Sequence, residues 1–361
     1  MFQSARTWLL RSGIQQPGGG VARYYRADTE KYQPISAEIT GYFASALCYL
    51  ANHDPHAATS AESREAGLAA ARYLTRSAWS PENSTIPFEP GSEFAYFFDI
   101  GIIVRGLLAA WRTTKSTGTP SDAEFANCAK DAALALAFDF LGDAAFHPII
   151  TLPDKQPLAY DASRWSRSPG CYQLKSALAW HDVGREFEDE HATRMFESAL
   201  AITLATHESF LPGADDPEKV MDRLHAYCYF LEALLVVADR PECAKALREG
   251  IERVSHYLRE ISPRFERSDV CAQLLRLRLI SHRNHGMPLH PEAANDEARR
   301  AAAYQVASPD PRIAGGFWFG TRNGETLPFV NPVSTVFCVQ ALALWQDHCA
   351  NRWTFQLRDL A

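Results

Sequence analysis

Two kinds of apolar segment alternate along this chain, and that alternation restricts its possible folds more than any other feature. The stretch ECAKALREGIERVSHYLRE from Glu242 puts Leu247, Ile251, Val254 and Leu258 on one helical stripe and fills the rest with charge. The stretch HAYCYFLEALLVVA from His225 is apolar nearly all round. A helix with no polar face has to be enclosed by protein, whereas a helix with one stripe can lie on a surface. Strand-type alternation is scarce.

Amphipathic helices are predicted near 3–12, 61–78, 121–141, 190–207, 242–260 and 290–304. Each is followed by an enclosed helix, near 36–52, 95–113, 170–184, 220–238, 268–281 and 331–349. Six such pairs predict an all-α (α/α)6 toroid, an inner ring of apolar helices inside an outer ring of amphipathic ones. The expectation is a single domain over 1–361, a length that can bury an extensive core. The pairs share no strict consensus, but one echo is visible. PGGGVARYYRADTEKYQPISAEITGYFASAL resembles AGGFWFGTRNGETLPFVNPVSTVFCVQAL: a Gly-Gly, an aromatic and polar loop, then a small-residue helix start.

Several function classes are disfavoured. The formal charge is −7, and the one dense basic stretch, RLRLISHR from Arg276, shares its positions with leucines. Nucleic-acid binding needs a concentrated basic face, so none is expected. No apolar run is long enough to span a bilayer, and the TWLL core near the start is too short for a signal peptide. Cys48, Cys128, Cys228, Cys271 and Cys338 lie in apolar helical stretches, with no CxxC pair and no zinc-type Cys/His cluster. Buried reduced thiols in a cytoplasmic protein, with no metal and no cofactor, is the expectation. The sequence leaves the oligomeric state open.

In such a ring the inner helices run parallel, so their N-termini and the positive ends of their dipoles gather at one end. Polar groups stand at those starts: Glu38, Asp99, Tyr172 with Lys175, Asp222 with His225, Asp269, and Asn331 with Ser334. For Asp222 and Asn331 capping is explanation enough, and Ser268 before Asp269 reads the same way. Glu38 and Asp99 are harder to dismiss. Glu38 follows a usable cap, Ser36, and Gly41 within its helix suggests close approach by another group. Asp99 has apolar neighbours on both sides, so it must be paired or shift its pKa. Asp269, Gln273 and Arg276 share one helix face, which favours an internal ion-pair network bridged by Gln273 over a sugar-reading surface. His225, among Tyr227, Tyr229 and Phe230, is more readily a hydrogen-bonded core residue than a base. Trp165, between Arg164 and Arg167 on a long polar loop, could plug the hairpin end, but a ligand role at a cavity mouth is favoured because loops carry specificity.

The chain resembles the six-hairpin glycosidase-like and terpenoid-cyclase-like toroid proteins. Within that group it is most similar to bacterial proteins of polysaccharide gene clusters that carry an E-x-T-G-Y start, here Glu38-Ile39-Thr40-Gly41-Tyr42. FFDIGIIVRGLLAAW from Phe97, HAYCYFLEALL, RSDVCAQLLRLRL from Arg267 and NPVSTVFCVQALALW from Asn331 support it. The resemblance implies a carbohydrate ligand and an enzyme that acts on an oligosaccharide or polysaccharide precursor. A glycoside hydrolase would draw its two carboxyl groups from Glu38, Asp99 and Asp269. Its acid must hold a proton near neutrality, which the helix dipoles oppose and a dry wall beside Tyr42 and Phe43 favours. A sugar epimerase or lyase would instead use Tyr42, Tyr172, Lys175, His225 and Arg276. A terpenoid cyclase or prenyltransferase lacks its Asp-rich runs here, and Asp269-Val270-Cys271 lacks the later His of a zinc site. A non-catalytic glycan binder is the remaining alternative.

Overall fold

The computed structural model describes residues 2–53, 56–115 and 120–361. Among them are twelve α-helices. They are α1 (Phe2–Arg11), α2 (Ala37–His53), α3 (Ala57–Tyr73), α4 (Phe97–Thr114), α5 (Pro120–Asp139), α6 (Gln173–Phe187), α7 (Glu190–Thr206), α8 (Pro217–Leu234), α9 (Pro241–Ile261), α10 (Ser268–His285), α11 (Pro291–Ala303) and α12 (Pro332–Cys349). Each expected helix is present with its ends displaced by a few residues. Burial follows the two expected classes. Every residue of α10 from Ser268 to Ser281 is buried, whereas α11 buries only Ala294, Glu297, Ala298 and Ala301.

The helices group into two compact units. One comprises Gln15–Arg23 and Pro34–Ala205; the other comprises Met1–Ile14, Tyr24–Gln33 and Thr206–Ala361. In the first, here the N-terminal unit, α4 packs against α2, α5 and α6. Two glycines permit this. A Cβ on Gly106 would stand 2.5 Å from the Gly41 carbonyl oxygen, and one on Gly101 would stand 2.5 Å from the Ser176 Cα. The glycine inside EITGY therefore marks a backbone crossing between α2 and α4. In the C-terminal unit α10 occupies the corresponding role, packed against α8, α11 and α12.

Short antiparallel pairs hold the chain just before two of the buried helices. Residues Phe94–Tyr96 pair with Ile149–Thr151 ahead of α4, and Phe265–Arg267 pair with Gly320–Arg322 ahead of α10. The first amides of both helices are then tied down, Phe97 to the Pro148 carbonyl at 3.0 Å and Ser268 to the Phe319 carbonyl at 2.9 Å. Rigid strands thus set the positions of Asp99 and Asp269.

The sequence echo is a structural repeat. Gly19 at φ +93° lies where a Cβ would be 2.3 Å from the Ala69 oxygen of α3, and Gly315 at φ +88° lies 2.3 Å from the Ser4 oxygen of α1 by the same measure. Only glycine fits such a left-handed close approach. Two residues on, the Val21 amide donates to the Thr40 hydroxyl at 2.9 Å, and the Phe317 amide donates to the Thr335 hydroxyl at 3.0 Å. In each unit a Gly-Gly loop so joins an amphipathic helix to the first turn of a buried one.

Two expected helix starts change. The Asp216 side chain caps α8, accepting from the Glu218 amide at 2.9 Å, so Asp222 lies inside the helix and is not its cap. Ser268 does not cap α10; its hydroxyl donates to the Trp318 carbonyl at 2.7 Å. Asn331 does cap α12, accepting from the Val333 amide at 2.7 Å with Pro332 next.

Candidate functional site

In the N-terminal unit the α2–α4 crossing brings two first-turn acids within electrostatic reach of each other. Ser36 caps α2 through its hydroxyl, which accepts from the Ile39 amide at 3.3 Å, and Glu38 follows in the first turn. Glu38 keeps some accessible surface, but the protein around it excludes enough water to raise its pKa to about 7 against the pull of Arg23. Asp99 is 7% exposed, and its Oδ2 has no hydrogen-bond partner among the described residues. Burial, then the charge of Glu38, push Asp99 well above the usual carboxylate range; Arg23 and its own backbone amide act the other way. Two such acids cannot both ionise cheaply, so the surroundings favour the neutral form of each.

An aromatic wall adjoins the pair. Phe98 meets Tyr172 at 6.1 Å and Trp165 at 6.5 Å between ring centroids, and Trp165 meets Tyr172 edge-on at 4.9 Å. Tyr172 is buried and donates its hydroxyl to the Ser168 carbonyl at 3.0 Å. Tyr96 lies tilted against Phe88 at 4.8 Å between centroids, and Arg23 lies 4.9 Å over the Phe88 ring. Trp165 is half-buried and Arg164 exposed, so both are available to a ligand. Tyr42 and Lys175 are buried. Arg105, about two turns along α4 from Asp99, is engaged by Asp182 of α6 at 3.3 Å.

The C-terminal unit presents the opposite electrostatic solution. Arg267 stands between two acids, bidentate to Asp269 at 2.7 and 3.0 Å and bonded to Asp222 at 2.8 Å. Although burial opposes it, Arg267, with His225, holds Asp269 below the usual range. Asp269 is therefore an ionised, fully engaged carboxylate and is unsuited to the general-acid role the sequence allowed it. His225 is buried, and burial lowers its pKa to about 4 with help from Arg267. Its Nδ1 lies 2.8 Å from the Gln273 Oε1, so a neutral ring donates there and presents a lone pair at Nε2.

The bridge expected from Asp269 through Gln273 to Arg276 does not form. Gln273 turns to His225, while Arg276 pairs with Glu232 of α8 and with Gln340 of α12 at 2.9 Å, and stacks 4.0 Å over Phe337. Arg276, Glu232 and Gln273 have no accessible surface, so none of the three can touch a sugar in this conformation. A shared face fixes which residues lie together but not which neighbouring helix supplies their partners. In Asp269-Val270-Cys271 the carboxylate is taken by Arg267 and burial pushes the thiol up. No local pattern marks Tyr96, Phe98 or Arg267 as a site residue. Arg23 carried a usable signal, lying in the Gly-Gly loop that precedes EITGY. A groove of about 760 Å³ in the C-terminal unit, lined by residues such as Pro212, Tyr257, Glu260 and Arg264, contains none of the expected site residues.

No protein-family model matches this chain, and no curated protein matches it in sequence. Solved structures do match its fold. A sugar epimerase from a ruminal bacterium aligns with TM-score 0.67 at 10% identity, covering 95% of this chain and 98% of its own. A D-mannose isomerase aligns with TM-score 0.68 at 8% identity, covering 95% and 96%. A GH76 α-mannanase from Bacteroides thetaiotaomicron aligns with TM-score 0.64 at 10% identity, covering 96% and 97%. The chain has the all-α toroid fold of these six-hairpin proteins. At such identities the likeness speaks for the fold and not for the chemistry.

Proposed function

We propose that this protein is a carbohydrate-active enzyme of glycoside-hydrolase type in which Glu38 and Asp99 are the catalytic pair. The observation that carries the reading is Asp99, buried beside Glu38 with an unpartnered Oδ2. Glycoside cleavage needs one carboxyl group that is protonated near neutrality and a second that is ionised. A pair sharing one proton supplies both states. The neutral member would protonate the glycosidic oxygen, and its ionised partner would stabilise the developing cation, activate water or attack the anomeric carbon. Trp165, Tyr172 and Phe98 provide rings of the kind that pack on sugar faces, and Arg164 flanks them. The α-mannanase neighbour, the whole-chain coverage of all three neighbours and the E-x-T-G-Y start at Glu38 support an enzyme of this class acting as one domain, close to polysaccharide-cluster proteins.

A second reading, a sugar epimerase or isomerase, is favoured by His225, whose Nδ1 contact with Gln273 leaves Nε2 as a base. The epimerase and isomerase neighbours add to it. Turnover of an oligosaccharide panel, with products followed by NMR in D2O, tests both. Hydrolysis that falls about 10²- to 10⁴-fold in Glu38→Gln and Asp99→Asn supports the first reading. Deuterium appearing next to the sugar carbonyl, lost in His225→Ala and kept in Glu38→Gln, replaces it with the second.

A further inference from the structure

The arginines around the acid pair differ from those that lock the helix interfaces elsewhere in the protein. Three arginines of the helix interfaces each have a carboxylate close by: Arg105 has Asp182 at 3.3 Å, Arg112 has Glu186 at 2.7 Å, and Arg278 has Glu297 at 2.8 Å. Beside Glu38 and Asp99 the pairing is loose. Arg23 meets Glu89 only at 3.8 Å, and its Nη2 is a buried atom with no hydrogen-bond partner among the described residues. Arg167 reaches Asp161 at 3.9 Å with much of its side chain exposed. Arg164 is exposed and has no carboxylate within ion-pair distance among the described residues.

These three cations belong to one surface. Arg23 covers Phe88, Phe88 contacts Tyr96, and Tyr96 leads through Phe97 and Phe98 to Asp99. Phe98 contacts Trp165, and Arg164 and Arg167 bracket Trp165 in a single short turn. The fields of Arg167, Arg164, Arg23 and Asp99 all reach the Tyr96 hydroxyl. Rings that suit a sugar face, an acid with one oxygen unpartnered among the described residues, and three under-paired guanidinium groups therefore converge.

We infer that the sugar taken by this site carries an anionic substituent, a carboxylate or a sulfate, held by Arg23, Arg164 and Arg167 while its ring lies against Trp165. Guanidinium groups bind carboxylates and tetrahedral oxyanions through paired, charge-assisted hydrogen bonds, and weak existing partners leave those donors free to do so. The inference rests on the carbohydrate reading above and narrows it to acidic sugars. It also gives the shared proton of the acid pair a second role, because a neutral carboxyl group does not repel an incoming anion as two ionised ones would.

The test is calorimetric titration of the full chain with neutral gluco-, manno- and galacto-disaccharides and with their uronate and 6-sulfate counterparts. The acidic form of at least one is expected to bind about tenfold more tightly than its neutral parent, an advantage that shrinks as salt is raised. Uronate preferred over sulfate, or the reverse, identifies the anion. Arg164→Ala, on an exposed loop, is expected to remove most of the advantage without changing the melting temperature, with Arg23→Gln and Arg167→Ala acting in the same direction. Neutral disaccharides bound as tightly as acidic ones, and unaffected by these substitutions, would overturn the inference and leave the acid-pair reading standing. Binding of no saccharide of either charge overturns both.

Discussion

The starts of α4 and α10 are built alike and finish in opposite electrostatic states. Each follows a short antiparallel strand pair and places a buried aspartate in its first turn. Asp269 has Arg267 against it at 2.7 Å and is held ionised. Asp99 has Glu38 as its neighbour and only a distant, half-buried Arg23 as counter-ion, so it is pushed towards the neutral form. Helix dipoles favour ionisation at both places, which shows that a close cation, and not the helix end, decides the outcome. One start is a structural ion pair; the other favours a neutral carboxyl group.

Removing the cation from the compensated start makes the largest break in this comparison. Arg267→Met leaves Asp269, which is 2% exposed, as an uncompensated charge. It should lower stability by about 3–5 kcal/mol in urea unfolding and drive Asp269 towards the behaviour of Asp99. Next comes the crossing that assembles the uncompensated start. A Cβ on Gly106 would press on the Gly41 backbone, so Gly106→Ala should cost about 3 kcal/mol and cut turnover by separating Glu38 from Asp99.

Glu38→Gln should stabilise the protein. Its folded pKa, about 7, lies above its ordinary value of 4.5, so between these pH values the folded chain binds more protons than the unfolded one. Stability therefore falls as pH rises across that window, and the whole penalty is in place above about 7. The gain from Glu38→Gln should be on the order of 2 kcal/mol near pH 8 and vanish towards pH 4, read from urea unfolding at the two pH values. By the same logic, turnover that depends on the shared proton should decline as pH rises through about 7. Arg164→Ala is the smallest change, within about 0.5 kcal/mol in stability, because the side chain is exposed and has no ion-pair partner among the described residues.

How much of this was legible follows from how local each signal is. Helix class, the crossing at Gly41, the Asn331 cap and the uneasy position of Asp99 are written in short windows, so sequence reasoning reached them. Gln273 and Arg276 lie on the predicted face, yet their partners His225, Glu232 and Gln340 belong to α8 and α12. No spacing within α10 encodes that choice. Arg267 is two residues from Asp269 in sequence, but its second partner, Asp222, is 45 residues away on α8. The dryness around Glu38 depends on packing between helices and is likewise invisible in EITGY alone.

The central claim is that Glu38 and Asp99 hold a proton between them near neutrality. Infrared titration of carboxyl C=O absorption in D2O, on the parent protein, Glu38→Gln and Asp99→Asn, measures it directly. The account predicts a protonated-carboxyl band that persists at about pH 6, titrates with a midpoint near 7, and is changed in both variants. A parent protein with no such band above about pH 5, its carboxylates all titrating in the ordinary range, would contradict it.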